Sequence, residues 1–413
     1  MTWLPMVTLI ALTFLATAAE QLSLAQFPEE EVALARGKTA LVTGAAGFIG
    51  SHVARHCRDL GMTVLALDDL SGGFPANVPE GVTFIEGDIR DAELLERIFQ
   101  EHQPVHYVYH LAAYAAEGLS HFIRSYNYRT NLVGSVEILN QAIKHRVHCF
   151  VFTSSIAVYG SINDLSQMQN PNRSLSTSGH RSPRVGQGLK EEDRPTPEDP
   201  YGIAKYAFEL DLHAAKELFG IDFVIFRPHN VFGPHQNMFD KYRNVVGIFI
   251  NQIFHEQPMT IFGNGEQVRA FSYIDDVAPI IARGPLNLRA RNEIFNVGAD
   301  VPYSVNELAT AVAEAADAAG HPRDSQPARL EVEVAVSNHD KVKDYFDVKS
   351  AISLKEGLKR TVEWYRGQGH LFKPVEFSSV EVIDRLPPAW RREDLEESAV
   401  CHGSRVSAQR EEL

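Results

Sequence analysis

The sequence predicts an α/β protein: a doubly wound parallel sheet, followed by a smaller C-terminal lobe of mixed α/β structure. Three observations carry that expectation. Short apolar runs alternate with helix-periodic stretches through Phe226, the pattern of parallel strands joined by crossover helices. The first run, Thr39-Ala-Leu-Val-Thr43, passes at once into Gly44-Ala-Ala-Gly47-Phe48-Ile49-Gly50 and a helical stretch from Ser51 to Leu60. A second run, Thr63 to Leu67, ends at Asp68, 24 residues after Gly44.

Each element has a physical reading. Strand, glycine turn and helix in that order form the Rossmann-type phosphate cradle: the first glycine permits the turn, the second lets backbone approach a pyrophosphate, the third lets helix pack on strand. The spacing is GxxGxxG, so Gly44, Gly47, Phe48, Ile49 and Gly50 are expected to hold a dinucleotide. Asp68 can accept hydrogen bonds from the adenosine ribose and would repel a 2′-phosphate, which selects NAD over NADP; Asp69 reads as a solvated neighbour. The third run, Val82 to Ile85, leads into Gly87-Asp88-Ile89, where Asp88 could bond the adenine amino group or cap a helix. The fourth, Val105 to Tyr109, leads into His110-Leu-Ala112-Ala113, whose small residues let a flat ring pass. His110 reads as a satisfied core histidine.

Tyr201-Gly-Ile-Ala-Lys205 places a phenol and an ammonium four residues apart at the start of a helix running to Phe219. Residues i and i+4 share a helix face, so Lys205 can favour the Tyr201 phenolate and make it a usable base. Alone, such a pair is more often a solvated surface contact. Its position after a glycine turn and a ribose-binding acid reverses that preference.

With these segments in order, and with Phe150 to Gly160 between them, the chain resembles the extended short-chain dehydrogenase/reductase family, specifically its NAD-dependent sugar-nucleotide epimerases. The likeness runs from about Lys38 to about Arg366. It implies a catalytic set of Ser155, Tyr201 and Lys205, with Ser154 as the nearer rival to Ser155, and it matches Asn131 to a helix asparagine common in the family. Tyr201 would take the proton of a sugar hydroxyl, Ser155 would bond the same oxygen, and Lys205 would hold the nicotinamide ribose. The family's substrate contacts map onto Asn230, Asn244, Arg269 and Arg329, the guanidinium groups meeting a diphosphate. Arg329 lies in Ala328-Arg329-Leu-Glu331, a degraded form of the family's Arg-x-Gly-Asp, and Ala115 stands where galactose epimerases place a lysine. For Arg227 and Arg269 a salt bridge is the plain alternative.

What the resemblance implies is a nucleotide-sugar 4-epimerase working through a 4-keto intermediate, with UDP-glucose and UDP-galactose as the default pair, and a homodimer. No carboxylate stands in Thr153-Ser-Ser-Ile-Ala157, which favours oxidation and return of hydride over elimination of water. The alternatives are a UDP-glucuronate epimerase, a sugar-nucleotide dehydratase or decarboxylase, and, from another class, a non-catalytic NAD-binding regulator.

The bulk composition sets bounds. The chain has 413 residues, 44% of them hydrophobic, and a formal net charge of -14. That charge argues against nucleic acid or an anionic membrane surface as partner. Cys57, Cys149 and Cys401 are too few and scattered for a disulfide framework or a zinc site, and no metal-binding motif is present.

The chain divides into an N-terminal segment (1–25), an NAD-binding unit (38–226), a substrate lobe (227–370) and a charged tail (377–413). The first 19 residues are uncharged and mostly apolar and read as a signal peptide or a signal anchor. The compartment would be the secretory pathway or Golgi membrane if that segment functions, and the cytoplasm otherwise. Asn172-Arg-Ser174 is a glycosylation sequon that matters only in a lumenal protein. Residues 162–190 are polar and aperiodic, which predicts a flexible insertion: a lid over the sugar or, preferred, a disordered surface loop. Part of the tail is expected to be disordered. A capping box at Ser304-Val-Asn-Glu307 opens a predicted helix to about Ala319, and Lys355 to Arg366 predicts another.

Overall fold

The computed structural model describes residues 27–160, 188–348, 351–368, 377 and 380–391. The N-terminal segment 1–25, the sequon, most of the 162–190 insertion, Cys401 and the end of the tail lie outside them. Among the described residues no helix is long and apolar enough to cross a membrane.

Seven strands form one sheet: β1 Thr39–Thr43, β2 Thr63–Asp68, β3 Thr83–Glu86, β4 Tyr107–His110, β5 Cys149–Thr153, β6 Asp222–Pro228 and β7 Glu293–Val297. Their spatial order is β7-β6-β5-β4-β1-β2-β3, and every pairing is parallel. Strand order reverses at β1, leaving a crevice between β1 and β4 at the carboxyl ends, where ligands of open α/β sheets sit. β7 comes from within the 227–370 region, so the two expected units interleave rather than divide cleanly at residue 227.

Period-2 alternation places the two faces of the sheet in separate cores. Leu65, Leu41, Val108, Phe150 and Phe223 stand directly in register across five strands and pack on one face. Ala66, Val42, Tyr109, Val151 and Val224 form the matching row on the other. That second core continues into Val246, Phe249 and Ile250 of helix Val245–Phe254, Leu308 and Val312 of Val305–Ala315, and Leu358 and Val362 of Leu354–Gln368. The Ser304/Glu307 capping box is formed, and its helix stops at Ala315, short of the expected 319. Cys57 and Cys149 are buried in helix and strand.

The helix Pro200–Phe219 is positioned at both ends. Asp199 accepts the amide of Gly202 at 2.9 Å, Pro200 occupies the first turn, and Gly220 closes the helix with φ +77°. Its middle is tied to β6 by a buried bidentate pair, Arg227 with Glu209 at 2.5 and 3.0 Å, with Arg227 also donating to the Tyr159 hydroxyl at 2.7 Å. Arg227 therefore serves the fold: both partners are 2% exposed, and removing one member of so buried a pair costs about 3–5 kcal/mol.

One boundary differs from expectation, and part of the charged tail is anchored by contacts. Residues 188–190 are ordered at the end of the insertion, where Leu189 donates to the Val336 carbonyl at 2.9 Å and accepts from Asn338 at 2.8 Å. Residues 380–391 are mostly exposed, but Leu386 and Trp390 are buried beside Tyr114, Leu119, Ile123 and Tyr242. Apolar side chains are sparse in this charged segment, and composition hides the few that anchor it.

Candidate active site

The crevice beyond β1, β2, β4 and β5 is a cavity lined by Gly44, Gly47, Phe48, Ile49, Gly50, Asp68, Asp88, Ile89, Ala112, Tyr201, Lys205 and Asn244. The structure thus brings together the expected dinucleotide residues, the Tyr–Lys pair and one substrate asparagine. Ser155, Asn230, Arg269 and Arg329 lie outside that lining.

The glycine turn fits a dinucleotide for steric reasons. Gly44 has φ +72°, and a Cβ on it would come within 2.8 Å of the Ala112 amide; a Cβ on Gly50 would meet the Gly44 carbonyl at 1.9 Å. Backbone therefore runs closer here than any other residue allows, leaving the first turn of helix Phe48–Asp59 open to a pyrophosphate. Asp68 is buried and accepts the amides of Ala46 at 3.0 Å and Leu70 at 2.8 Å. Burial outweighs those bonds and raises its carboxyl above the usual range. Asp88 is held by Arg90 through a bidentate pair at 2.9 and 2.5 Å. These residues would hold the adenosine and pyrophosphate of NAD, and the acid at 68 disfavours a 2′-phosphate.

His110 donates or accepts at Thr43 Oγ1 and Ser135 Oγ, both at 2.8 Å, and stacks on Phe152. Burial lowers its pKa to about 3, so it is a neutral core connector. Asn131 sits in a π-helical turn, Arg129–Val133. Its side chain accepts the Tyr114 amide at 2.8 Å and donates to the Tyr114 carbonyl at 3.0 Å and to Asn127 at 2.8 Å. It fixes the loop that follows β4.

Tyr201 and Lys205 do share a helix face, yet their relation differs from the expected one. The Lys205 ammonium donates to the Thr153 carbonyl at 2.8 Å and lies 4.7 Å from the Phe152 ring centroid and 5.8 Å from that of Tyr201. Burial drives its pKa down to about 7, Glu209 acting weakly in the opposite direction. The Tyr201 phenol is pushed up by burial first, and the Ser155 hydroxyl counters that in part; the charges of Glu117 and Asp199 push it further up, and that of Arg243 pulls it down. Lys205 is not among the leading influences on the phenol, because its charge is turned toward the strand. Ser155 Oγ accepts the Ala157 amide at 3.2 Å. Ser154 faces the cavity, its hydroxyl without a hydrogen-bond partner among the described residues.

The expected substrate residues are engaged elsewhere. Asn230 donates to the Ala270 carbonyl at 3.0 Å. Arg269 donates to the carbonyls of Val268 at 2.8 Å, Glu333 at 3.1 Å and Val332. Arg329 pairs with Glu331 at 3.0 Å and lies over the rings of Phe262 and Trp390. Sequence reasoning missed Arg243, which lines the cavity, pairs with Asp240 at 2.5 Å and lies 4.6 Å from the Tyr114 ring. It reaches the loop after Asp68, where a Cβ on Gly72 would come within 2.9 Å of its guanidinium. The pair Gly72-Gly73 was the signal for that close approach. Phe377 was missed too; it stacks on Tyr114 at 4.6 Å and lies 4.9 Å from Tyr126, both of which line the cavity.

Fold and crevice together define an α/β enzyme that handles a nicotinamide dinucleotide. The model of the NAD dependent epimerase/dehydratase family matches residues 40–298. A putative UDP-glucose 4-epimerase of Methanocaldococcus jannaschii is 33% identical over 79% of this chain and 98% of its own. A UDP-glucuronate 4-epimerase of Thermodesulfobacterium geofontis is 28% identical over 81% and 98%. The crystal structure of Thermus thermophilus UDP-glucose 4-epimerase in complex with NAD aligns with a TM-score of 0.69 at 32% identity, covering 80% of this chain and 99% of that one. The chain belongs to the NAD-dependent epimerase/dehydratase family, as an epimerase of the extended short-chain dehydrogenase/reductase type whose cofactor is NAD.

The buried ammonium has a measurable signature. An unfolded lysine titrates near pH ~10.4, so between about pH 7 and that value the unfolded chain binds a proton that the folded chain does not. Stability then rises with pH across this window. The unfolding free energy of the wild type minus that of Lys205→Met should accordingly increase from pH 7 to pH 10, and a flat difference by chemical denaturation would show that Lys205 is not held down by burial.

Proposed function

We propose that the protein is a nucleotide-sugar 4-epimerase that interconverts a pair of sugars at C4 through a 4-keto intermediate, with UDP-glucose and UDP-galactose as the default pair. The observation that carries the reading is the Tyr201 phenol, lining the same crevice as Lys205, the glycine turn and Asp68. A phenol in that position meets a sugar hydroxyl whose carbon faces a dinucleotide laid over the glycines. Family membership and relatives bearing the 4-epimerase name support it.

Tyr201 removes the hydroxyl proton, Ser155 bonds the same oxygen and shares the proton, and Lys205 anchors the nicotinamide ribose from the floor of the crevice. When bound, NAD accepts the hydride, returns it, and supplies a positive charge that favours the phenolate. The keto sugar then turns in the pocket, presents its other face, and recovers a proton from Tyr201. Elimination or decarboxylation needs further acid–base groups beside the sugar. Residues 153–157 provide no carboxylate beside Ser155.

Incubation of the purified protein with each sugar separately should give interconversion without added NAD. Tyr201→Phe should retain bound NAD and lose at least about 100-fold in turnover. Full activity in that variant would remove Tyr201 from the mechanism, and bound NAD with no interconversion by the wild type would reject the default pair.

A homodimer belongs to the same reading, supported by the exposed apolar residues Ile203, Leu210, Leu218 and Phe219 on helix Pro200–Phe219, with Val133 exposed on the helical segment beside it. Sedimentation velocity should report twice the chain mass of 46.0 kDa; a monomer at micromolar concentration would contradict it.

A further inference from the structure

Among the described residues, the charged groups lining the crevice are the carboxylates of Asp68, Asp69 and Asp88 and the cations of Lys205 and Arg243. A dinucleotide adds the negative charges of its pyrophosphate. The first turn of helix Phe48–Asp59 offers only about half an elementary charge against them. Lys205 gives its ammonium to the Thr153 carbonyl at the end of β5. Arg243 has donors to spare.

Three contacts hold the Arg243 guanidinium and leave its ends free. Nε donates to Asp240 Oδ2 at 2.5 Å, and the other oxygen of Asp240 accepts the Tyr242 amide at 2.9 Å. The guanidinium carbon lies 4.6 Å from the centre of the Tyr114 ring, and Asn131 fixes Tyr114 through both its amide and its carbonyl. On a third side, a Cβ on Gly72 would come within 2.9 Å of Nη2 and 3.5 Å of Nη1. Neither Nη1 nor Nη2 donates a hydrogen bond to any described residue, and the side chain is 16% exposed.

The same contacts set the guanidinium beside the phosphate cradle. Gly72 is followed by Gly73, whose Cβ would lie 2.6 Å from the Ala46 carbonyl oxygen and 2.8 Å from the Gly47 nitrogen. The loop after Asp68 therefore runs against the glycine turn on one side and against Arg243 on the other. Asn77 donates to the carbonyls of Ala46 and His235, both at 3.1 Å, and Ser51 Oγ meets His235 Nδ1 at 3.0 Å. The segment that carries Arg243 is thus tied to the turn at His235 and returns to its flank eight residues later.

We infer that Arg243 binds the pyrophosphate of NAD, retaining the cofactor from the side of the C-terminal lobe. A guanidinium held by its Nε presents Nη1 and Nη2 as a fixed pair of donors, which suits a phosphoryl group. The inference rests on the NAD that family membership brings and stands whichever sugar is the substrate. The diphosphate of a nucleotide sugar offers the same chemistry. Contact with Gly72, in the loop that follows the ribose acid Asp68, favours the cofactor.

The test uses the purified protein loaded with NAD. NAD content per chain, and the rate at which bound NAD exchanges with radiolabelled NAD, are measured in the wild type, Arg243→Gln, Arg243→Lys and the double variant Asp240→Asn/Arg243→Gln. Loss of a charge-assisted contact should speed exchange in Arg243→Gln by at least about tenfold. Arg243→Lys, which keeps the charge without the fork, should fall between it and the wild type. The double variant leaves no unpaired carboxylate at position 240 and should exchange as fast as Arg243→Gln. Wild-type retention in the double variant would show that the single substitution acts by unpairing Asp240, and would overturn the inference; so would unchanged exchange in Arg243→Gln. Titration calorimetry of the NAD-loaded protein with UDP separates the two diphosphates: UDP affinity should be the same in Arg243→Gln and the wild type. Weakened UDP binding with unchanged NAD exchange would assign Arg243 to the nucleotide sugar instead. None of these readings requires turnover, so failure of the 4-epimerase assay would leave the result in place.

Discussion

Lys205 gives up water for a single strand carbonyl, and the geometry of the crevice follows from that exchange. An ammonium buried to 2% exposure can be kept only if its neighbours hold it in place. The Thr153 carbonyl at the end of β5, the Phe152 ring beneath, and the Glu209–Arg227 pair one turn further along the helix do so. Helix Pro200–Phe219 is thereby locked against the carboxyl ends of the strands. One turn earlier on the same face, Tyr201 has no freedom to leave the crevice. The phenol is correspondingly hard to ionise, and its burial defers phenolate formation until positive charge arrives beside it. An enzyme that must hold a sugar oxidised without leaking protons gains from such a base.

The opposite wall is built differently. Arg269 and Arg329, which the resemblance assigns to a diphosphate, are held by carbonyls, Glu331 and aromatic rings, while Arg243 lines the cavity itself. The C-terminal segment 380–391 adds Trp390 over Arg329 and Leu386 to the same cluster. A diphosphate held by Arg269 and Arg329 would have to compete with the partners they already have.

Much of this was legible because its causes are local. Period-2 apolar runs gave the strands, the glycine spacing gave the turn, and Asp68 followed at the end of β2, since each is dictated by residues adjacent in the chain. The Tyr201 to Lys205 spacing correctly placed both groups on one face. What it could not supply was the direction of the ammonium, which is decided by a strand carbonyl 52 residues away. Arg243 and Phe377 were missed for the same reason: each enters the site through a close approach of distant segments. Arg269 sits where its motif puts it, yet the carbonyls of Val268, Val332 and Glu333 absorb its donors. Composition alone does not reveal the docking of the tail, because a few apolar residues, Leu386 and Trp390, suffice to anchor a segment that is charged overall.

In the proposed 4-epimerase reaction one hydride leaves C4 and returns to it, with Tyr201 handling only the hydroxyl proton. Incubating the enzyme with UDP-glucose deuterated at C4, in ordinary water, tests that claim most directly. The expected UDP-galactose keeps the deuterium at C4 and gains none elsewhere. Loss of the label to solvent, or an unlabelled C4 in the product, would contradict it.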